Sequence, residues 1–432
     1  MHYAYRFRLD PTPEQRERLD YHRDTCRQLY NHALNEFEQI PESAGTLNQR
    51  VRQVRDQLTD LKEWWDELND LYSTVAQAAV MRIEDSIKTL SELKQNGYNV
   101  GSLNWKAPQE FRSFTYIQSG FEFDSKNGQP VLSLSKLADI PITKHREIPD
   151  DVTIKEVTIK KEPTNEWYAC FAVDGKQTPE KPIDPERCVG IDVGILKYTH
   201  DTDGTAVGSL DLSDERERLE RSQRDLSRKV HGSNNWEKQR QVIAKRHADL
   251  KRKRRDFLHK LSNYYATEYD LVAVEDLDTK GLVELAGNSH NRASAAWGTF
   301  KRMLEYKCER ESTHFVAVDP KDTTKECASC GVKTEKPLWV REHSCPSCGF
   351  EADRDANAAI NILSRGLSEL QLGVGHSEGT SPEIFDFWCA NESRSDSSTP
   401  VETALPVDTP VSAKRVVESG SPTLKEAAVA AE

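Results

Sequence analysis

Between Pro320 and Leu363 the chain reads Cys327-Ala328-Ser329-Cys330-Gly331, then Cys345-Pro346-Ser347-Cys348-Gly349, then Asp353-Arg354-Asp355-Ala356-Asn357-Ala358-Ala359. Two Cys-x-x-Cys pairs separated by a short polar span can place four thiolates around one tetrahedral Zn²⁺, and each pair is followed by the glycine that a tight turn at a metal favours. Nine cysteines in 432 residues, with no secretory leader expected, speak against a disulfide framework. Cys327, Cys330, Cys345 and Cys348 would fill every coordination position, so the zinc is expected to be structural, with the chemistry beside it. Asp353 and Asp355 open an Ala-rich, helix-forming run. Asp353 suits the cap of that helix, and Asp355, two residues further in, would project from its first turn and could reach a metal.

Two more carboxylates sit in matching settings upstream. Cys188-Val189-Gly190-Ile191-Asp192-Val193-Gly194 is a short apolar run broken by one acid, and Leu271-Val272-Ala273-Val274-Glu275 ends on another. An acid in a buried strand is costly unless it is paired or binds a metal. Lys197–Asp201 and Ala206–Leu210, joined by a turn at Asp203-Gly204, predict two antiparallel strands, and His314–Val318 a last one. The order of three strands, helices, strand, helix, strand, zinc insert and helix is that of an RNase H-like α/β domain. Asp192, Glu275 and Asp355 could then meet in space. Hard oxygen ligands of this kind hold Mg²⁺ or Mn²⁺, and such ions serve phosphodiester cleavage.

Asp214 to Tyr265 has a helical pattern, with Ile243, Leu250 and Phe257 recurring every seven residues. From Lys238 to Lys260 it carries ten Lys/Arg against two Asp/Glu, including Lys251-Arg252-Lys253-Arg254-Arg255. In an otherwise acidic chain this run is expected to contact a nucleic-acid backbone. A helix at Ser294–Glu311, with Trp297, Phe300, Met303 and Leu304, is read as packing.

At the other end, Tyr3, Tyr5, Phe7 and Leu9 alternate and predict an edge strand. Thr12-Pro13-Glu14-Gln15 follows as a helix start with a capping box. Helices are expected through Leu34, over Leu47–Leu61 and over Leu71–Leu93. From Phe111 to Asp174 the period falls to two, with Phe121 and Phe123 facing Leu132 and Leu134 across a hairpin at Lys126-Asn127-Gly128. The simplest topology is a small β-barrel with a helical bundle inserted after its first strand. Gln177–Glu186 reads as a linker.

The formal charge is −12, and Gln371 to Glu432 alone holds ten Asp/Glu against four Lys/Arg. That tail, from Gly373 on, is expected to be disordered. Acidic residues scattered elsewhere suggest adaptation to high salt. No apolar run reaches the length of a membrane span, so no membrane partner is expected, and a cytoplasmic protein acting at the nucleoid is.

Gly190-Ile191-Asp192-Val193-Gly194, Val274-Glu275-Asp276-Leu277, Thr323-Thr324-Lys325, both Cys-x-x-Cys-Gly pairs and Asp353 to Ala359 together resemble the TnpB (OrfB) family of transposon-encoded proteins, as do Tyr5–Gln15 and Tyr30-Asn31. The resemblance covers about residues 1–370 and implies an RNA-guided DNA endonuclease that takes a guide RNA and a target DNA. It implies a wedge-like β-barrel (1–10 with 108–180), a helical recognition lobe (11–107), a RuvC/RNase H-like nuclease domain (187–325 with 351–370), a zinc-binding module (326–350) and an acidic tail (371–432). In the family's motif the catalytic carboxylate stands directly before Ala-Asn, which is Asp355 here. The alternatives are a transposase, for which nothing resembles the His-hydrophobe-His and tyrosine site of the element's partner transposase, or a non-cutting regulator that binds RNA and DNA.

Overall fold

The structure is a computed structural model and describes residues 2–126, 128–149, 152–175, 181–284, 295–337 and 340–371. The expected disordered tail, Asn127 of the hairpin turn, the first residues of the Gln177–Glu186 linker and Ser294 lie outside the described residues. The chain divides into two compact units, Met1–Lys176 and Gln177–Glu432.

In the first unit, β1 (His2–Leu9) is followed by five helices: α1 (Pro13–Gln39), α2 (Leu47–Asp56), α3 (Leu58–Trp64), α4 (Glu67–Asp70) and α5 (Ser73–Gln95). Six strands then follow: β2 (Ser113–Ile117), β3 (Phe121–Lys126), β4 (Gln129–Leu134), β5 (Asp139–Thr143), β6 (Thr153–Lys161) and β7 (Trp167–Asp174). The helix start at Thr12 is a full capping box, with Thr12 accepting from the Gln15 N–H and the Gln15 side chain accepting from the Thr12 N–H.

The seven strands form one sheet in the order β2-β6-β7-β1-β5-β4-β3. The opening strand is therefore central, not an edge as its alternation suggested. Alternation reports that one face is buried and says nothing about whether both edges are paired; here β1 runs antiparallel to β7 along its whole length and meets β5 at its end. Among the described residues no ladder joins β2 to β3, so the expected barrel is a curled sheet. Its curl is visible in Phe123 of β3, whose ring stacks on Phe171 of β7 at 4.6 Å although three strands separate them in the ladder. Leu19, Cys26, Leu29, Tyr30 and Leu34 of α1 and Val75, Ala79 and Ile83 of α5 share one buried cluster with Phe7, Phe114 and Phe171 of the sheet.

The second unit is built on β8 (Cys188–Val193), β9 (Lys197–Asp201), β10 (Ala206–Gly208), β11 (Leu271–Glu275) and β12 (His314–Val318), in the order β10-β9-β8-β11-β12. β8, β9 and β10 are antiparallel neighbours, whereas β8, β11 and β12 run parallel. Its helices are α6 (Ser213–Ser227), α7 (Asn234–Glu268), α8 (Thr279–Glu284), α9 (Trp297–Glu311) and α10 (Arg354–Glu369). Parallel strands connected by helices are covered on both faces, which is why β8 and β11 read as nearly continuous apolar runs. Val189, Ile191, Val272 and Val274 pack with Phe257, Leu258, Leu261 and Tyr265 of α7 and Phe300, Met303 and Leu304 of α9. The opposite face, with Cys188, Leu271, Ala273, Val316 and Val318, packs under Ile362, Leu363 and Leu367 of α10.

That second layer is unusually close. A Cβ placed on Gly190 would lie 2.2 Å from the Ala359 carbonyl oxygen and 2.8 Å from the Leu363 Cβ, and one on Gly366 would lie 2.8 Å from the Ala273 Cβ. Gly190→Ala should therefore force α10 off the sheet and destabilise the protein by about 2–3 kcal/mol, the scale of an overpacked core. A denaturation midpoint unchanged from the parent would contradict this packing.

Candidate metal centre and carboxylate site

The two Cys-x-x-Cys turns fold as knuckles. The Gly331 N–H donates to the Cys327 carbonyl at 2.8 Å and the Gly349 N–H to the Cys345 carbonyl at 3.0 Å, and both glycines take the left-handed backbone, at φ of 74° and 78°. The four sulfurs lie within 4.8 Å of one another, with Cys327 to Cys348 and Cys330 to Cys345 each at 3.6 Å. A tetrahedron with zinc–sulfur arms of about 2.3 Å has edges of about 3.8 Å, so the donor set fits one zinc ion. Hydrogen bonding from the Cys348 backbone lowers the Cys345 thiol to about 6, while burial pushes Cys327 up to about 12. Among the described residues this is the grouping of three or more His, Cys, Asp or Glu donors close enough to share an ion.

The carboxylates lie on the face of the sheet that α10 covers. Gly190 pairs with Ala273 across β8 and β11, and both touch α10; two residues on, Asp192 and Glu275 occupy the same face at the strand ends. Asp355 stands in the first turn of α10 and is buried at 6 % exposure. Burial, then the charges of Asp355 and Glu275, push the Asp192 carboxyl well above the usual carboxylate value. Glu275 is also raised by burial, partly offset by a hydrogen bond from the Thr323 hydroxyl and by Arg365. Asp192 thus feels both of the other acids, but among the described residues their oxygens do not close into a single coordination sphere. Asp355 is held instead by Arg354, at 3.0 Å to Oδ1, and by Arg341, at 3.4 Å to Oδ2.

Asp353 is the cap of α10. Its Oδ1 accepts from the N–H groups of Asp355 at 2.8 Å and Ala356 at 3.4 Å, and its Oδ2 pairs with Lys197 of β9 at 3.0 Å.

Several residues at the site escaped the sequence reading. Asn357 donates to the Glu326 carbonyl at 2.8 Å and accepts from the Ala328 N–H at 2.9 Å, and Asn361 donates to the Thr323 and Glu326 carbonyls, each at 2.8 Å. These amides fasten the buried face of α10 to the approach to the first knuckle. Asparagine repeating every four residues in an apolar helix was the available signal, since a buried amide must find partners. His200 was missed as well, and only strand register reveals it, because it pairs directly with Asp192.

The basic run lies in mid-α7 and does not form one face, because consecutive helical residues turn by about 100°. Lys251, Arg252, Lys253 and Arg255 are exposed, while Arg254 is half-buried. Lys253 pairs with Glu215 of α6, Arg252 with Asp249 at 3.5 Å, and Arg255 donates to His259 at 3.1 Å.

Residues 170–286 match the family model described as "Probable transposase" of the OrfB_IS605 type, residues 1–43 its "Helix-turn-helix domain", and residues 297–362 the "Cas12f1-like, TNB domain". A Streptomyces pristinaespiralis protein named "Putative RNA-guided DNA endonuclease" is 31% identical over 379 residues, which is 86% of this chain and 91% of that one. The chain belongs to the TnpB (OrfB) family. A second family member, "Putative RNA-guided DNA endonuclease InsQ" of Escherichia coli K12, is 26% identical over 86% of this chain and 94% of its own length. Among solved structures, the protein of the Cas12f1–sgRNA–target DNA complex shares the fold at a TM-score of 0.54 and 16% identity, covering 81% of this chain and 83% of that one. In this TnpB-family chain the stretch matching the helix-turn-helix model is β1 and α1 with the turn that follows.

The cap assignment separates the two neighbouring acids. Asp353→Ala should cost about 1 kcal/mol, the scale of a lost N-cap, in a denaturant titration. A loss near zero would mean that the cap does not hold this helix.

Proposed function

We propose that this protein is an RNA-guided, divalent-metal-dependent DNA endonuclease of an insertion-sequence element, with an RNase H-like (RuvC) site formed by Asp192, Glu275 and Asp355. The observation that carries this reading is the placement of Asp192 and Glu275 at adjacent strand ends on the face that α10 covers, where the charges of Asp355 and Glu275 both reach Asp192. Family membership and the names of the relatives point the same way.

The donor set suits Mg²⁺ or Mn²⁺, being three carboxylates of which Asp192 is raised by burial and by its acidic neighbours and Glu275 by burial, a cost that a divalent cation would relieve. Asp192, Glu275 and Asp355 would hold the cation. Bound there, it would supply activation of a water and stabilisation of the leaving oxygen in phosphodiester cleavage. The chain's own residues set the geometry. Thr323 donates to Glu275, the Asp353 cap and Lys197 fix the turn that carries Asp355, and Arg341 and Arg354 hold the Asp355 carboxylate. Guanidinium groups beside the carboxylates are also of the kind that would contact phosphate oxygens of a bound strand. Lys251, Arg252 and Arg255 offer exposed cations for guide or target backbone. Cys327, Cys330, Cys345 and Cys348 would hold a zinc ion whose role would be to fix the module that carries Arg341.

Asp192→Ala, Glu275→Ala and Asp355→Ala should each reduce guide-directed DNA cleavage by about a thousandfold or more while leaving guide-RNA affinity unchanged. Guide and target bound by the parent protein with no cut in Mg²⁺ or Mn²⁺ would point to a non-cutting regulator. Cys348→Ser should lower zinc content measured by elemental analysis and destabilise the 327–353 segment, because a four-thiolate site contributes folding energy only when complete. Freshly reduced parent protein with less than about half an equivalent of zinc would sink the structural assignment.

A further inference from the structure

His200 lies on β9 as the direct antiparallel partner of Asp192. Side chains of such a pair emerge on the same face with Cβ atoms about 5 Å apart. Asp192 in turn lies one step beyond the Val274–Ile191 pair of β8 and β11, level with Glu275. His200, Asp192 and Glu275 therefore form a row across three adjacent strands, on the face whose far end is covered by the turn bearing Asp355. His200 is 7 % exposed, and its Nδ1 is buried without a hydrogen-bond partner. Buried polar atoms in native proteins are satisfied with few exceptions, and an exception calls for an explanation. The groups acting on the ring are Lys197, Asp353 and Asp355, with the Asp201 backbone beside it. An imidazole beside these acids, with Nδ1 buried and unpartnered, has a ring nitrogen available to a cation.

We propose that His200 is a further ligand of the divalent-metal site and that it makes the site prefer Mn²⁺ to Mg²⁺. This rests on the carboxylate site proposed above. A site of carboxylates and water alone serves Mg²⁺ and Mn²⁺ alike, whereas an imidazole nitrogen is tolerated better by Mn²⁺, the first of the transition-metal series, than by Mg²⁺, which demands hard oxygen.

The test uses the full-length protein with its cysteine site loaded with zinc, titrated with Mn²⁺ and read by pulsed electron paramagnetic resonance. The expected result is a nitrogen coupling on the bound Mn²⁺ that changes from ¹⁴N to ¹⁵N when histidine is ¹⁵N-labelled and disappears in His200→Gln. In that variant Mn²⁺ should bind about tenfold more weakly, with Mg²⁺ affinity, measured by competition, unchanged. The spectrum of the parent protein decides the matter even if the variant folds poorly. Mn²⁺ that binds without nitrogen coupling, and is lost in Asp192→Asn, would remove His200 from the site and leave the nuclease reading intact. A nitrogen coupling that persists in His200→Gln overturns the assignment to this residue. No Mn²⁺ site sensitive to Asp192→Asn would overturn both.

Discussion

The second unit depends on how closely α10 lies on the sheet. Two positions that must lack a side chain, Gly190 on β8 and Gly366 on the helix itself, let backbone meet backbone and Cβ meet helix, so α10 has one available seat. Everything chemical follows from that seat. The turn at the N-terminus of α10 is carried to the ends of β8 and β11, where Asp192 and Glu275 emerge. A helix held further away, as ordinary side chains would hold it, would weaken the hold of the Asp355 charge on Asp192.

The same helix is the floor of the cysteine module. Asn357 and Asn361 bury their amides against the backbone at Thr323, Glu326 and Ala328, just before and within the first knuckle, and Arg365 pairs with Glu326 at 2.6 Å. The thiols and the carboxylates are thus referred to a single rigid element, although they are separate sites. From the far side of the module Arg341 reaches Asp355, and its carbonyl accepts from the Arg354 N–H at 2.6 Å. Displacement of the module would be felt at Asp355 through a backbone hydrogen bond as well as through an ion pair.

Charge is distributed against the grain of the whole chain. With a formal charge of −12, the protein repels nucleic acid at long range, so any attraction must be local and strongest within a Debye length, about 8 Å at physiological salt. The basic stretch of α7 partly neutralises itself, since Arg252, Lys253 and Lys260 each have an acidic partner. What it presents to solvent is a weaker field than a count of its residues suggests.

Much of this was legible in the sequence, because the decisive signals were local. Cys-x-x-Cys-Gly is a turn with a built-in metal geometry, Thr12-Pro13-x-Gln15 is a cap, and an acid ending an apolar run marks a strand end whose position in the chain is its position in the sheet. Such features depend on neighbours within a few residues, and the chain states them directly. The strand order, the central place of β1, the open curl of the first sheet and the inward turn of Arg254 depend on which distant segments pair and how a helix rotates, and alternation or charge cannot encode these. Register belongs to the same class: His200 acquires its interest only by facing Asp192 across two strands. Residue types were set by the sequence, but which of them share a face was decided by tertiary pairing, because side-chain direction in a sheet changes with every single-residue shift of register.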